Sequence, residues 1–345
     1  MKQAPCVSIC IPTYNSRDYL AECIASIRAQ TFTDYEVVIC DDESSDGTLD
    51  LARQLAKGDT RFRFISNPCR LGLVQNWNNC VKQARGEWIK FVFQDDVIKS
   101  SCLEKLLLAC ERGHKLVGFC ERDFIYEDRT PPALRSSFER HKQKLRTDYQ
   151  GTSVIDAARA VQIAIQHPWH NLVGEPTVTL INKSVFHAWG EFDPAFVQLC
   201  DTEFWCRIMI NEGAAFVPQS LAAFRVHSKA TTAQNLAQRT FRMDVLDKLT
   251  LRYQQAFGRH FKPVRNPRLT GKTTYALRKD CAVTAAQAWQ QARMVCRAGD
   301  ESFISEWREV RSHHPGLHAL AGLGCWWLFL SWMKRMIVHR LDSQA

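Results

Sequence analysis

Four short apolar runs rich in β-branched residues, Cys6 to Ile11, Glu36 to Cys40, Phe62 to Ile65 and Trp88 to Phe93, alternate with helix-spaced segments over about the first hundred positions. Between them Leu20, Cys23, Ile24 and Ile27 recur at helical spacing behind Ser16, Ser44-Ser45-Asp46-Gly47-Thr48 opens a helix running to Leu55, and Leu73 to Ala84 reads as another. Strands joined by helices rather than tight turns pair in parallel, with right-handed crossovers. The chain is therefore expected to be α/β, a mostly parallel sheet flanked by helices.

A helix is expected from Ser101 to Ala109, after which residues 121–150, polar and carrying Pro131-Pro132, read as a mobile loop or an acceptor-side excursion. Strand signals return at Val178 to Ile181 and Ala215 to Val217, with a helix near Thr202 to Ile210 between them. From Gln238 the pattern is helical and basic. Two domains are expected, 1–235 (a nucleotide half at 1–110 and an acceptor half at 111–235) and a C-terminal helical extension at 236–345.

With 345 residues, 46% apolar and 23% charged, the chain can bury a large core. Residues 1–240 carry 28 Lys and Arg against 28 Asp and Glu, whereas residues 241–345 carry 17 against 8, so the whole net charge of +9 is C-terminal. Such a region suits an anionic membrane surface, an anionic acceptor or nucleic acid, and equally a solvated helical face. Leu317 to Met333 is nearly free of charge and contains Trp326, Trp327 and Trp332, followed by Lys334-Arg335. It falls short of the roughly 20 residues of a membrane span, and an interfacial helix or a buried one fits it better. The 14 cysteines lie scattered, often within apolar runs and without a Cys-x-x-Cys, as reduced thiols do. No secretory leader is read at the N-terminus, so a cytoplasmic protein is expected.

Polar clusters follow each early strand: Pro12-Thr13-Tyr14-Asn15, Asp41-Asp42-Glu43, Asn67-Pro68-Cys69-Arg70 and Asp95-Asp96. In a parallel sheet the carboxyl ends of the strands converge on one crevice, which is where ligands bind. Any one acidic pair alone would read as a helix cap; their recurrence is the signal.

These residues resemble the family 2 glycosyltransferases. The likeness rests on Val7-Ser8-Ile9-Cys10-Ile11-Pro12-Thr13-Tyr14-Asn15, on Tyr35 to Cys40 followed by Asp41-Asp42-Glu43-Ser44-Ser45-Asp46-Gly47-Thr48, on Gly86-Glu87-Trp88-Ile89 and on Phe93-Gln94-Asp95-Asp96, and spans about residues 6–230. The resemblance implies the GT-A nucleotide-sugar-binding fold, Rossmann-like in its sheet. By the same resemblance Asp96 is a metal ligand, His227, within Phe224-Arg225-Val226-His227, completes the metal shell or touches the diphosphate, Asp95 contacts the ribose or metal-bound water, and Gln94 stands where the family usually has an acid. A divalent cation, Mn²⁺ or Mg²⁺, would neutralise the leaving diphosphate, and hard oxygen donors suit it.

Asp42 is expected to accept the imide N–H of a uracil-type base. Pro12 and Tyr14 would shape the base pocket, Thr13 and Asn15 beside them are further nucleotide-binding candidates, and Arg70 would either meet a phosphate or be a surface charge. Asp41 reads as a structural acid and Asp46 as a cap. Asp201, in Gln198-Leu199-Cys200-Asp201-Thr202-Glu203, matches the family's catalytic base, with Cys200 in place of the usual Glu. Glu175, in Gly174-Glu175-Pro176-Thr177, and Trp205 are candidates for the donor or acceptor sugar, although such aromatics are more often core and Glu175 would equally pair with an arginine.

The resemblance implies an inverting hexosyltransferase moving a sugar from a UDP-sugar, or another nucleotide diphosphate sugar, to a hydroxyl of a glycan or lipid-linked acceptor in bacterial surface polysaccharide synthesis. Expected partners are that donor, that acceptor, an anionic membrane surface on the cytoplasmic side and a second copy of the chain, with no nucleic acid. Two rivals stand beside it: a nucleotidyltransferase, which would want a Gly-rich basic loop after the first strand, and a nucleotide-sugar-binding assembly subunit without catalysis, which would lack Asp201.

Overall fold

A computed structural model describes residues 4–128, 130–227, 230 and 241–328. Its first strands and helices are β1 (Val7–Thr13), α1 (Leu20–Arg28), β2 (Tyr35–Asp41), α2 (Thr48–Leu55), β3 (Phe62–Ser66), α3 (Leu73–Gln83), β4 (Trp88–Phe91), β5 (Val97–Ile98) and α4 (Cys102–Gly113). Then come β6 (Val117–Tyr126), α5 (Pro132–Asp148), β7 (Val154–Ile155), α6 (Ala157–Gln166), β8 (Thr179–Asn182), α7 (Ser184–Trp189), α8 (Cys200–Glu212) and β9 (Ala214–Val226).

Among the described residues nine strands form one sheet in the order β3-β2-β1-β4-β8-β6-β9-β5, with β7 also on β9. β1 to β4 are parallel, and β8 runs antiparallel between β4 and β6. Register aligns Thr13 with Asp41 and Asp41 with Ser66, so the polar clusters after β1, β2 and β3 leave the sheet along one edge. β1 and β2 are buried at every position, which is why they read as unbroken apolar runs.

The Gly86-Glu87 turn has a packing cause. A Cβ at Gly86 would lie 2.6 Å from the Ser8 backbone nitrogen. With that space free, Gly86 N–H donates to Ser8 Oγ at 2.8 Å, while Ser8 Oγ donates to Glu36 Oε1 at 2.7 Å.

Two expectations are corrected. Residues 121–150 are not a loop: β6 continues to Tyr126 and α5 occupies Pro132–Asp148. Pro132 stands in the first turn, where a missing N–H costs nothing. Phe138 of α5 lies 5.3 Å from Phe124 and 5.6 Å from Phe224, and Tyr149 lies 5.5 Å from Phe119, so a thin apolar stripe secures a mostly charged helix to the sheet. α8 also begins at Cys200, two residues ahead of the expected start.

The chain divides into two compact units, one built from the sheet and its helices, the other from Ile165–Trp169, Ala195–Leu199 and the C-terminal helices. The second unit holds helices Asp247–Phe257, Thr274–Arg297, Ser302–His313 and residues 316–328. Its core joins Leu246, Leu249, Cys281, Ala285, Trp307, Leu317 and Ala321. All 14 cysteines are free thiols, most of them buried. Among the described residues no helix is long and apolar enough to cross a membrane. Of the Trp-rich segment at 317–333, residues 329–333 lie outside the described residues.

Candidate functional site

The strand-end clusters are linked by hydrogen bonds. At the end of β1, Thr13 Oγ1 donates to Asp41 Oδ1 at 2.9 Å, and Asp41 also accepts Ser44 N–H at 3.0 Å. Asp41 is thus spent on the turn that starts α2, and Thr48 N–H donates to Asp46 Oδ1 at 2.9 Å in the same turn. Asn15 takes a positive φ of 46° so that its Oδ1 can accept Ser45 N–H at 2.9 Å.

Asp42 is 3% exposed. Its Oδ1 accepts Asn67 Nδ2 at 2.9 Å and Leu71 N–H at 2.7 Å, and its Oδ2 accepts Gly72 N–H at 2.9 Å. A carboxylate has about four acceptor positions, so one on Oδ2 is left for a ligand donor. The same bonds fix the loop bearing Arg70, whose guanidinium sits 4.0 Å above the Tyr14 ring. Arg70 is therefore packed on the side chain expected to hold the base, while Pro12 is a buried residue of β1.

Gln94, standing where an acid was expected, holds the Tyr14 backbone from both sides. Tyr14 N–H donates to Gln94 Oε1 at 2.7 Å, and Gln94 Nε2 donates to the Tyr14 carbonyl at 3.3 Å.

The next two residues diverge. Asp96 has no exposed surface; its Oδ2 accepts Thr177 Oγ1 at 2.5 Å and its Oδ1 accepts Arg225 N–H at 3.0 Å. Burial first, and the adjacent Asp95 carboxylate second, raise its pKa well above the usual carboxylate range. Asp96 is thus held by Thr177 and Arg225, and its expected role as a metal ligand rests on the family resemblance. Asp95 is the open partner: its Oδ2 lies 2.9 Å from His227 Nε2. His227 is itself 6% exposed, and its Nδ1 is buried without a hydrogen-bond partner among the described residues. Tyr19 backs the imidazole with ring centroids 4.6 Å apart. Arg225 spans the cluster, donating to the Asp95 carbonyl at 3.0 Å and to Glu22 Oε2 at 2.6 Å.

Among the described residues no group of three or more His, Cys, Asp and Glu is arranged to hold a metal. Asp95 and His227 bring a carboxylate oxygen and an imidazole nitrogen together, donor types that suit a divalent cation whose remaining positions would come from outside the protein.

Asp201 lies in the first turn of α8. Its Oδ1 accepts Thr202 N–H at 2.6 Å and its Oδ2 accepts Asn171 Nδ2 at 2.9 Å. Burial, with the nearby Glu175 charge as the next cause, pushes its pKa to about 7. The Asn171 amide is held by its own turn, with Oδ1 accepting Val173 N–H at 3.0 Å and Gly174 N–H at 2.7 Å. Glu175 Oε2 pairs with Arg122 Nε at 2.6 Å, and Arg122 is 2% exposed, so Glu175 is a structural partner here.

Trp205 is corrected outright. It is fully buried, donates Nε1–H to the Gly174 carbonyl at 2.8 Å and stacks edge-on to Phe204 at 5.0 Å. Its function is to hold the 171–177 segment.

That segment is what sequence reasoning missed. Asn171 bonds to Asp201 at one end and Thr177 bonds to Asp96 at the other. Gly174-Glu175-Pro176-Thr177 is visible as a motif, but Asn171 and Tyr19 carry no local signal.

Comparison with known proteins gives the family and the fold. The glycosyl transferase family 2 profile matches residues 8–164. An uncharacterised protein of Mycobacterium tuberculosis is 31% identical over 71% of this chain and 73% of its own length. The GalNAc(5)-diNAcBac-PP-undecaprenol beta-1,3-glucosyltransferase of Campylobacter jejuni is 36% identical over 34% of this chain and 38% of its own. Among solved structures, S. aureus TarS in complex with UDP-GlcNAc superposes with a TM-score of 0.57 at 16% identity, over 82% of this chain and 72% of that one. The mannosyltransferase PcManGT from Pyrobaculum calidifontis, in complex with GDP-Man and Mn²⁺, gives 0.55 at 17% identity over 94% and 88%.

Proposed function

The chain belongs to glycosyltransferase family 2, and from that premise we propose that it moves a sugar from a UDP-sugar to a hydroxyl of a lipid-linked or glycan acceptor, with inversion, in bacterial surface polysaccharide synthesis. The observation that carries the reading is the 171–177 segment, which hydrogen-bonds Asp201 at one end and Asp96, neighbour of Asp95, at the other. A single short segment thereby couples a candidate base to a candidate diphosphate site.

Asp42 retains one free acceptor position on Oδ2, which suits the N3–H of uracil. Tyr14, braced by Gln94 and Arg70, offers the base an aromatic face. Asp95 and His227 would hold a divalent cation together with the donor diphosphate; when bound, that cation supplies Lewis-acid neutralisation of the leaving group. Arg225 orients Asp95 through its carbonyl, and Asp96 holds the turn by accepting Thr177 and Arg225. Asp201, with a pKa of about 7, is half ionised near neutrality, so its carboxylate can take the acceptor hydroxyl proton as the oxygen attacks the anomeric carbon. One base and one displacement invert the centre, and Glu175, tied to Arg122, is not free to serve as a nucleophile.

UDP-sugars and GDP-sugars incubated with Mn²⁺ and assayed for free nucleoside diphosphate test the reading. Release from at least one UDP-sugar is expected. Absence of binding to any nucleotide would remove it.

A further inference from the structure

The second compact unit carries an exposed apolar and basic patch, away in sequence from the residues proposed to bind the donor. Residues 316–328 pack through Leu317, Ala321 and Gly324, and the approach is close: a Cβ on Gly324 would lie 1.8 Å from the Ala282 carbonyl oxygen. Helical periodicity then turns Leu323 and Trp326 outward, and they are 58% and 60% exposed. Trp327 lies between these faces, 6.1 Å from the Tyr275 ring and with Lys279 Nζ 4.6 Å from its centroid. Tyr275 is itself 60% exposed, one helical turn before Lys279.

The stretches of chain that carry this patch are rich in basic residues, with Asp280 the acid next to Lys279. Between Asp247 and Asp280 the sequence has nine Lys and Arg and no acid, and between Glu309 and Asp342 it again has no acid. We infer that Tyr275, Lys279, Leu323, Trp326 and Trp327 form a docking surface for an anionic phospholipid bilayer. Tryptophan and tyrosine rings settle at headgroup depth, leucine enters the acyl boundary, and lysine stems reach anionic headgroups. A second copy is the poorer occupant, because a two-fold contact would bring the same positive charge against itself. Nucleic acid would use the charge but leave Leu323 unsatisfied. The surface deepens the lipid-linked acceptor reading, since it would hold the enzyme on the leaflet that presents such an acceptor.

The full chain is sedimented with phosphatidylcholine vesicles and with vesicles containing one-third phosphatidylglycerol. Binding to the anionic vesicles alone is expected, weakening as salt rises. Combined Leu323→Ser and Trp326→Ser is expected to reduce that binding about tenfold or more, given the apolar area withdrawn. Quenching of tryptophan emission by brominated lipid reports the same contact in the unsubstituted protein. No binding to anionic vesicles, equal binding by the variant, or a variant that only loses self-association would overturn the inference. Release of UDP from a donor in solution is assayed in parallel: its absence counts against glycosyl transfer, and its persistence in the variant separates the two readings.

Discussion

Asp95 Oδ2 lies 2.9 Å from His227 Nε2, although 132 positions separate the two residues in the chain. The contact forms because β9 ends beside the loop after β4, and Arg225, two residues before His227, clasps that loop by its backbone N–H and its guanidinium. Asp95→Ala and His227→Ala are each expected to raise the Mn²⁺ concentration for half-maximal turnover by about tenfold or more. Metal titration of nucleotide release measures it; an unchanged metal response in both variants would remove the pair from the site.

Asp96→Ala should act on stability. It leaves Thr177 Oγ1 and Arg225 N–H buried without their acceptor, a loss of about 1–3 kcal/mol for each unsatisfied group. Thermal unfolding should shift down clearly. Unchanged melting with lost metal response would support Asp96 as the ligand.

The rate should rise with pH through about 7. Asp201 accepts a proton only when ionised, and burial with the Glu175 charge places its pKa at about 7, so transfer is lost as pH falls below that value. A pH profile of kcat flat from pH 5.5 to 8.5 would exclude Asp201 as base.

Asn171→Ala should move that acid limb upward. Its Nδ2–H stabilises the ionised carboxylate, so removing it favours the protonated form, and activity should recover at higher pH. A purely structural role for Asn171 would lower kcat equally at every pH.

Asp42→Asn should cut the preference for UDP over CDP, because only uracil carries the imide donor at N3. The loss corresponds to about 1–3 kcal/mol in UDP affinity, measurable by calorimetry. A UDP to CDP ratio within twofold of wild type would mean that Asp42 only braces the 67–72 loop.

Much of the sheet was legible because β1 and β2 are buried on both faces and so appear as continuous apolar runs. β6 was hidden by Glu121, Arg122 and Asp123, whose charges are absorbed by partners distant in sequence: Arg146, Glu175, and Lys99 with Lys142. Helix α5 was hidden by the Pro131-Pro132 pair at its start and by its charge, although Pro132 sits where a helix accepts it. Within the site, residue types and loops were readable, but the partner that each member of a pair meets was not. Asp95 and Asp96 differ only in what lies across from each, His227 or Thr177, and no local pattern encodes that. Trp205 looked like a sugar platform because an aromatic beside a base is ambiguous until its burial is known.

The central claim is that the Asp95–His227 pair and Asp201 serve one bound donor. It is tested most directly by a crystal structure of Asp201→Asn soaked with a UDP-sugar and Mn²⁺. The account predicts uracil at Asp42, the diphosphate beside Asp95 and His227, and the anomeric carbon facing residue 201 across the space of one acceptor hydroxyl. A donor seated in a different cavity, with residue 201 turned away from the sugar, would contradict it.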